Sequence, residues 1–522
     1  MDGKTLPHSR KTVLKLGTRR SLLAMAQSRW VALQIEKNNP GISVELVGID
    51  TRGDQIQDVP LQSVEGKDFF VAEIDAALKS KEVDLTVHSF KDLSLDRPKE
   101  LVCAAIPKRE NPRDVLLFHS HSLRKLETGE PVRIGTSSPR RLENIPAFLE
   151  QALPRSMSAP DRLPALKFLE IRGNVNTRIS RLHEPASSER HLDGVILAFA
   201  GLIRLWADEE ARAELSKLLR NLRWMVLPLK ECPAAPAQGA LAIECRKEDK
   251  AALTAIQKLH DKETEAQVHA ERKILATSGG GCHQRFGATA ISFSNLKQML
   301  FIRGTSHQGD EMNSLEWSAP EISESLSGEI WDGTRFPGRF HSLEQKIEIN
   351  TEQPVFVAHS RAVPDLWTVP LRHMRVWTSG SASWFKLAHK GIWVEGCAEA
   401  LGFEFILPTL QEKVLALPKL SQWQVLTHDG AQDGWSEEKV IPTYQIFYDE
   451  LGEKVLNELQ QASFIYWSSG SQFEALKKKA PKKAIHACGP GKTAKQLSEG
   501  GLKPVIFPNS EEWKKWVSKH EK

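Results

Sequence analysis

Val132-Arg-Ile-Gly-Thr-Ser-Ser-Pro-Arg-Arg141 sets the reading of the fold. A short apolar run stops on a glycine, small hydroxyl residues follow, and proline with two arginines opens a helical pattern. The run reads as a strand over 132–135 and the helix as starting at Ser138. A strand that ends at a helix N-terminus offers backbone N–H groups and hydroxyls to an anion. The guanidiniums of Arg140 and Arg141 add bidentate binding of carboxylate or phosphate. Downstream, a strand at 168–171 leads into Arg172-Gly-Asn-Val-Asn-Thr-Arg178 and a helix over 177–182, and a further strand covers 194–198. Upstream, a strand at 13–17 runs into Gly17-Thr-Arg-Arg-Ser, with Arg19 and Ser21 at the start of a helix reaching residue 38. Strands at 44–51 and 85–88 and a helix at 71–80 complete a first unit. Alternation of this kind predicts α/β layers rich in parallel sheet. Two such units in series predict two lobes with a ligand cleft at their strand ends.

Beyond residue 260 the pattern changes. A helix over 265–277 precedes strand-like runs at 288–293 and 299–304, which predicts a small α+β domain. All three tyrosines and most of the 14 tryptophans lie beyond about residue 360, whereas arginine is concentrated before about residue 205. A junction is therefore placed near residue 350. Past it, Val376-Trp-Thr-Ser-Gly-Ser is echoed by Tyr466-Trp-Ser-Ser-Gly-Ser, and each copy precedes a helix and another strand. One internal repeat predicts two similar α/β lobes, since a solenoid needs more copies.

The 522 residues allow three or four domains. A hydrophobic fraction of 40% and a charged fraction of 26% exclude a disordered or fibrous chain. The 70 Lys and Arg against 66 Asp and Glu exclude a generic nucleic-acid binder. No run approaches the ~20 apolar residues of a membrane span. The polar, basic residues 1–14 read as a frayed leader and not as a secretory signal, so a cytoplasmic location with reduced thiols is expected. The six cysteines lack metal-ligand spacing, and no metal is expected.

Two segments carry candidate chemistry. Asp92 closes Val87-His-Ser-Phe-Lys-Asp, where a strand runs out into a loop. Beside Lys91 and an arginine-lined cleft, its carboxylate can stabilise a developing cation and shuttle a proton. A turn aspartate capping a chain reversal is the competing explanation, and His88 reads as a packed strand-end residue. Cys282, in Gly279-Gly-Gly-Cys-His, is either a nucleophilic or modified thiol on an open backbone or a small buried one. Gly489-Pro-Gly-Lys-Thr imitates a phosphate loop, but His486 stands where the first glycine is required.

Taken in order, several runs resemble the hydroxymethylbilane synthase, or porphobilinogen deaminase, family. They are Gly17-Thr-Arg-Arg-Ser, Thr51-Arg-Gly-Asp, Val87-His-Ser-Phe-Lys-Asp, Arg109-Glu-Asn-Pro-Arg-Asp, Gly135-Thr-Ser-Ser-Pro-Arg-Arg, Arg172-Gly-Asn-Val-Asn-Thr-Arg, Leu197-Ala-Phe-Ala-Gly-Leu-Ile-Arg, Gln238-Gly-Ala-Leu-Ala-Ile-Glu-Cys-Arg and Gly279-Gly-Gly-Cys. The resemblance spans about residues 12–345. It implies a transferase that joins four porphobilinogen units head to tail with loss of ammonia. The primer would be a dipyrromethane cofactor on Cys282, with Asp92 and Lys91 catalytic. Because pyrrole substituents are carboxylates, the resemblance places Thr136, Ser138, Arg140, Arg141, Arg172, Arg178 and Lys91 around the cofactor. It places Arg19, Ser21, Lys67, Arg109, Arg204 and Gln238 around substrate, with Gln238 in the hinge region. The implied fold is α/β, a three-domain deaminase: domain 1 at 12–110 with a return at 238–260, domain 2 at 111–237, and domain 3 at 261–346. The first two resemble periplasmic anion-binding lobes. The partner is porphobilinogen, without nucleic acid or membrane, and the chain is expected to be a monomer.

This sequence departs from the family pattern at Ser63, Glu65 and Asp68 in the lid, at Ser94, and at Pro236-Ala-Gln-Gly, where a glycine's freedom is lost. The tail, 353–522, resembles uroporphyrinogen-III synthase, a lyase. The runs Val376-Trp-Thr-Ser-Gly-Ser, Gly396-Cys-Ala-Glu-Ala-Leu-Gly, Val440-Ile-Pro-Thr-Tyr, Trp467-Ser-Ser-Gly-Ser and Gly489-Pro-Gly-Lys-Thr-Ala carry that likeness. Lobes are expected at 353–422 and 423–522, with Ser379, Ser469, Tyr444 and Thr493 either holding substrate carboxylates or forming ordinary loop and core. A bifunctional enzyme is the first expectation. A deaminase with a degenerate structural tail and a periplasmic-type anion-binding module are the alternatives.

Overall fold

The computed structural model of the chain describes residues 12–51, 71–156, 159, 164–279, 284–293, 296–319, 329–344, 348–431, 435 and 438–520. Its described strands form five sheets, so the protein is a mixed α/β structure. Among the described residues no helix is long and apolar enough to cross a membrane.

The first sheet contains β1 (Thr12–Arg19), β2 (Ile42–Ile49), β3 (Leu85–Ser89), β4 (Leu101–Ala105) and β10 (Leu241–Arg246), in the order β2-β1-β3-β10-β4. The second contains β5 (Asp114–His119), β6 (Val132–Gly135), β7 (Leu166–Leu169), β8 (Gly194–Ala198) and β9 (Leu222–Val226), in the order β7-β6-β8-β5-β9. Each is parallel apart from one antiparallel inner strand, β10 in the first and β5 in the second. The inner strands read as continuous apolar runs because helices cover both faces. In β5, Val115, Leu116, Leu117 and Phe118 are all fully buried. The chain crosses between the two sheets twice, through residues 106–113 and 227–240.

A third sheet is an antiparallel meander of β11 (Arg285–Phe293), β12 (Leu296–Thr305) and β13 (Glu311–Trp317), covered by the helix Lys262–Thr277. Gly287 lies so close to the second crossing that a Cβ there would stand 2.1 Å from the Pro233 carbonyl oxygen. Only glycine permits that approach.

The C-terminal region departs from the sequence expectation. β14 (Glu329–Asp332) and β15 (Arg339–Ser342), assigned above to the third deaminase domain, belong to later sheets. β14 pairs in parallel with β21 (Ala462–Trp467), beside β22 (Ile485–Cys488) and β23 (Val505–Ile506). β15 pairs antiparallel with β20 (Lys439–Phe447). The six-stranded order is β15-β20-β19-β16-β17-β18, with β16 (Val355–Val357), β17 (Val376–Thr378), β18 (Val394–Cys397) and β19 (Gln424–His428). The expected lobe boundary at 422/423 is therefore also displaced, since β19 and β20 complete the first lobe. Trp331 explains why β14 goes where it does. It is 2% exposed, with its ring stacked on Phe336 and 5.5 Å from that of Trp467. Composition near residue 350 concealed this, because the pairing partner lies about 130 residues downstream.

The six-stranded lobe shares a hydrophobic core with the second sheet. Trp393 donates Nε1 to the Trp224 carbonyl at 2.7 Å, and Trp384 donates to that of Ala152 at 3.1 Å.

Candidate active site

The site is assembled from strand ends. β3 runs into a single 3-10 turn, Phe90–Asp92, with Phe90 buried and Asp92 exposed. β6 ends at Gly135, and Thr136 and Ser138 lead into the helix Pro139–Ala152, whose first turn carries buried Arg140 and Arg141. The Ser138 N–H donates to Thr136 Oγ1, so the Ser138 hydroxyl is not spent on capping. Beyond β7, Asn174 caps the helix Val175–Ser180, which carries Arg178, while Arg172 lies in the connecting turn. At the end of β1, Ser21 caps the helix Leu22–Asn38, with Arg19 just before it.

These ends converge. Burial pushes the Lys91 ammonium pKa down; Arg141 and Arg140 reinforce this, while Asp92 and Asp114 oppose it. Burial likewise pulls Arg178 down to about 10, with Arg141 and Arg172 adding and Asp92 opposing. Five basic side chains thus share one region with two carboxylates, Asp92 and Asp114. Like charges at this density repel unless an anion joins them. Arg140 Nε and Arg141 Nε are buried without a hydrogen-bond partner. Basic side chains gathered in this way fit a ligand carrying several carboxylates.

Asp114, the first residue of β5, organises the cluster, and the sequence reading gave it no role. Its carboxylate receives Arg140 Nη2 and Arg141 Nη2, each at 2.8 Å, and Gln238 Nε2 at 2.9 Å. Burial disfavours its charge, but Arg140 and Arg141 outweigh that and hold the carboxyl well below the usual range. Gln238 also accepts from Lys91 Nζ at 3.3 Å.

Several residues expected around substrate are held by protein partners. Arg109 forms a buried bidentate pair with Glu271 at 2.6 and 3.0 Å and donates to the Gln238 carbonyl. Its guanidinium joins the first crossing to the helix Lys262–Thr277. Gln238 is 1% exposed, with its amide spent on Lys91, Pro112 and Asp114. It is a crossing residue. Arg204 donates to the Gly239 carbonyl at 2.6 Å, yet among the described residues no carboxylate lies in ion-pair range. Burial lowers its pKa to about 10, against the opposing Glu110. Cys282 and Lys67 lie outside the described residues, as do Ser63, Glu65 and Asp68.

One group among the described residues has metal-ligand geometry: Asp75, His88 and Glu244. Arg97 already bridges the two carboxylates at 2.6 Å each. Burial and Arg97 push His88 down to about 4, so it is neutral at physiological pH and packs as expected. The five described cysteines are unpaired thiols, and burial raises Cys103 to about 12.

In the C-terminal region, Ser379 follows β17 and Ser469 follows β21, at equivalent places in the two lobes. Ser469 caps a helix and contacts Tyr448 Oη at 2.9 Å, a partner the sequence reading missed. Tyr444 does not line a cleft, being 5% exposed within the core shared with the second sheet. Thr493 lies in the first turn of the helix Lys492–Glu499. Its neighbour Lys492 places Nζ 3.3 Å from the centroid of the Trp435 ring in the other lobe. Burial takes that ammonium down to about 8.

The family model "Porphobilinogen deaminase, dipyromethane cofactor binding domain" matches residues 14–254. The porphobilinogen deaminase of Syntrophotalea carbinolica is 40% identical over 280 residues, covering 53% of this chain and 78% of that protein. That of Bacillus subtilis is 37% identical over 269 residues, covering 52% and 76%. The chain belongs to the porphobilinogen deaminase family. Its first two sheets hold the dipyrromethane-binding domain, and the basic cluster lies within the matched residues. A solved uroporphyrinogen-III synthetase from Helicobacter pylori is similar over 37% of this chain and 99% of its own, at 13% identity and a TM-score of 0.25, too low for a shared fold to follow.

Proposed function

We propose that the chain is a hydroxymethylbilane synthase that joins four porphobilinogen units on a dipyrromethane primer held by Cys282. The supporting observation is the basic cluster at facing strand ends: Lys91 and Arg178 lie in range of Asp92, Arg140 and Arg141 lie in range of Lys91, and Arg141 and Arg172 lie in range of Arg178. When bound, dipyrromethane supplies the nucleophilic pyrrole carbon at which the first unit is added. The basic groups hold the acetate and propionate carboxylates and orient the rings. Asp92, the carboxylate at the exposed tip of the turn, balances the positive charge left when an incoming pyrrole loses ammonia and takes the proton released on coupling. Lys91, anchored on Gln238, sets a positive charge beside that carboxylate. The domain division proposed is 12–110 with 238–260, then 111–237, then 261 to about 319, and the sheet membership of the strands supports it.

Intact mass spectrometry tests this. The wild-type chain is expected to carry a dipyrromethane-sized increase that Cys282→Ala removes, whereas Asp92→Asn keeps the adduct and loses turnover. Full turnover in Asp92→Asn excludes the acid–base role, and an unmodified wild-type chain would leave the anion-binding module.

We infer that the C-terminal region is a uroporphyrinogen-III synthase. Two α/β lobes meet at Gly402 and Gly491, where a Cβ on either would stand 3.1 Å from the other's Cα, and across Lys492 and Trp435. Ser379, Ser469 and Thr493 mark the strand and helix ends that would receive the bilane carboxylates. Feeding porphobilinogen to the pure chain and separating the product isomers tests it. Type III product supports the assignment; type I alone means a structural tail.

A further inference from the structure

We propose that Glu399, a residue of the C-terminal region, is a positioning residue for the deaminase, tying both crossings between the first two sheets to the six-stranded lobe. Two lobes joined by two crossings form a hinge, and any opening or closing of the cleft turns on those segments. Glu399 holds both of them. Its Oε1 accepts from Arg113 Nε at 3.0 Å and Nη2 at 2.5 Å, on the first crossing. Its Oε2 accepts the backbone N–H groups of Leu229 and Lys230 at 3.0 and 3.3 Å, on the second. The Glu399 side chain is fully buried and that of Arg113 is 7% exposed.

Neighbouring contacts point the same way. Arg113 lies 5.1 Å from the centroid of the Phe405 ring, and Asn111 donates to Thr409 Oγ1 at 2.8 Å. The loop carrying Glu399 is held in an unfavourable conformation to make this contact. Glu399 and Ala400 have φ of 54° and 61°, the left-handed region that disfavours side chains. The Thr378 and Ser379 carbonyls hold it there, accepting the N–H groups of Ala398 and Ala400. Such strain persists only where the surroundings over-determine it. Arg113 immediately precedes Asp114, which orients Arg140 and Arg141. A shift of the Glu399 loop is therefore one peptide bond from the basic cluster. The hinge of this deaminase pivots against a body made of the second sheet and the six-stranded lobe together.

Glu399→Gln in the full chain keeps the shape and removes the charge. The proposal rests on the deaminase reading for its kinetic readout, so the cofactor mass and wild-type bilane formation are checked first; their failure would indict that reading alone. In Glu399→Gln the dipyrromethane adduct is expected to be retained. Turnover should fall about fivefold or more, the lower end of what coupled sites show. Intact mass should show partly elongated chains accumulating in proportions unlike the wild type. Trp384→Phe, which removes one hydrogen bond in the same interface away from the crossings, should lower Tm without changing those proportions. If Glu399→Gln folds poorly, Arg113→Lys keeps the charge, breaks the two-nitrogen contact and is read the same way. Wild-type turnover and wild-type elongation proportions in the folded variant overturn the proposal, whatever happens to Tm.

Discussion

Replacing Asp114 by asparagine tests the electrostatic account of the site most directly. The side chain is fully buried, and its two oxygens each meet a guanidinium at 2.8 Å. At a charge separation of about 4 Å and an effective dielectric of ~20, each pair contributes about 4 kcal/mol of attraction. Much of that sum is offset by the desolvation of three buried charges, several kcal/mol per ion. What remains on deleting one partner is the penalty of leaving the others unpaired, about 3–5 kcal/mol. For a domain of this size that is a fall in Tm of roughly 6–20 °C. The sign with pH is fixed, because a carboxyl held below its ordinary range contributes fully at neutral pH and loses that contribution only in acid. Calorimetry at pH 7 thus reads the whole effect. Under the proposed function bound dipyrromethane brings carboxylates to the same arginines, so the loss should be smaller in the cofactor-loaded chain. The pair to compare is Asp114→Asn in the wild-type background and in Cys282→Ala, which on that proposal cannot attach the cofactor. Equal losses in the two backgrounds would refute the claim that Arg140 and Arg141 are the cofactor's counter-ions. No loss in either would refute the claim that Asp114 organises them.

Two substitutions in the second crossing should have opposite signs. Gly239→Ala puts a Cβ 2.5 Å from the Glu110 carbonyl oxygen at φ 87° and should destabilise the chain by several kcal/mol, whereas Ala237→Gly, at φ 64°, releases about 1 kcal/mol of left-handed strain, less what the lost methyl contributes; urea denaturation separates them. Glu412, raised to about 7 by burial and by Glu110, binds its proton more tightly folded than unfolded, so stability should fall as pH rises from the ordinary glutamate range through about 7. In Glu412→Gln the Tm should vary less between pH 5 and 8, and an unchanged slope counts against the assignment. Lys492→Met should shift the product from type III toward type I uroporphyrinogen while bilane formation continues at the wild-type rate; an unaltered isomer ratio removes Lys492 from the cyclisation site.

The elements around the site were legible because they are local. The helix starts read at Ser21 and Ser138 and the strand ends read at Gly135 and His88 fall within a residue of those observed, and they and the arginines beside them follow from short-range periodicity and capping chemistry. What stayed hidden depends on partners far along the chain. Arg109 looks like any cleft arginine until Glu271, 162 residues away, is found against it. Asp114 reads as the last letter of a motif, since its arginines come from another turn. Glu399 meets Arg113 across 286 residues. The boundary error has the same cause: Glu329-Ile-Trp-Asp has no distinguishing pattern of its own, and only β21 decides which sheet takes it.

The two halves share a way of being threaded. In each, a sequence-contiguous sheet sits inside a discontinuous one: β5 to β9 within a sheet that waits for β10, and β15 to β20 within one that joins β14 to β21. During synthesis, when domains fold as they emerge, the inner sheets can close first and the outer ones must wait. Trp331 leaves the ribosome long before Trp467 exists to cover it. A nascent chain halted between residues 340 and 460 would therefore expose a tryptophan-bearing strand beside an otherwise finished deaminase, a ready substrate for chaperones. The order of folding in this protein is written in its strand order, from the inner units outward.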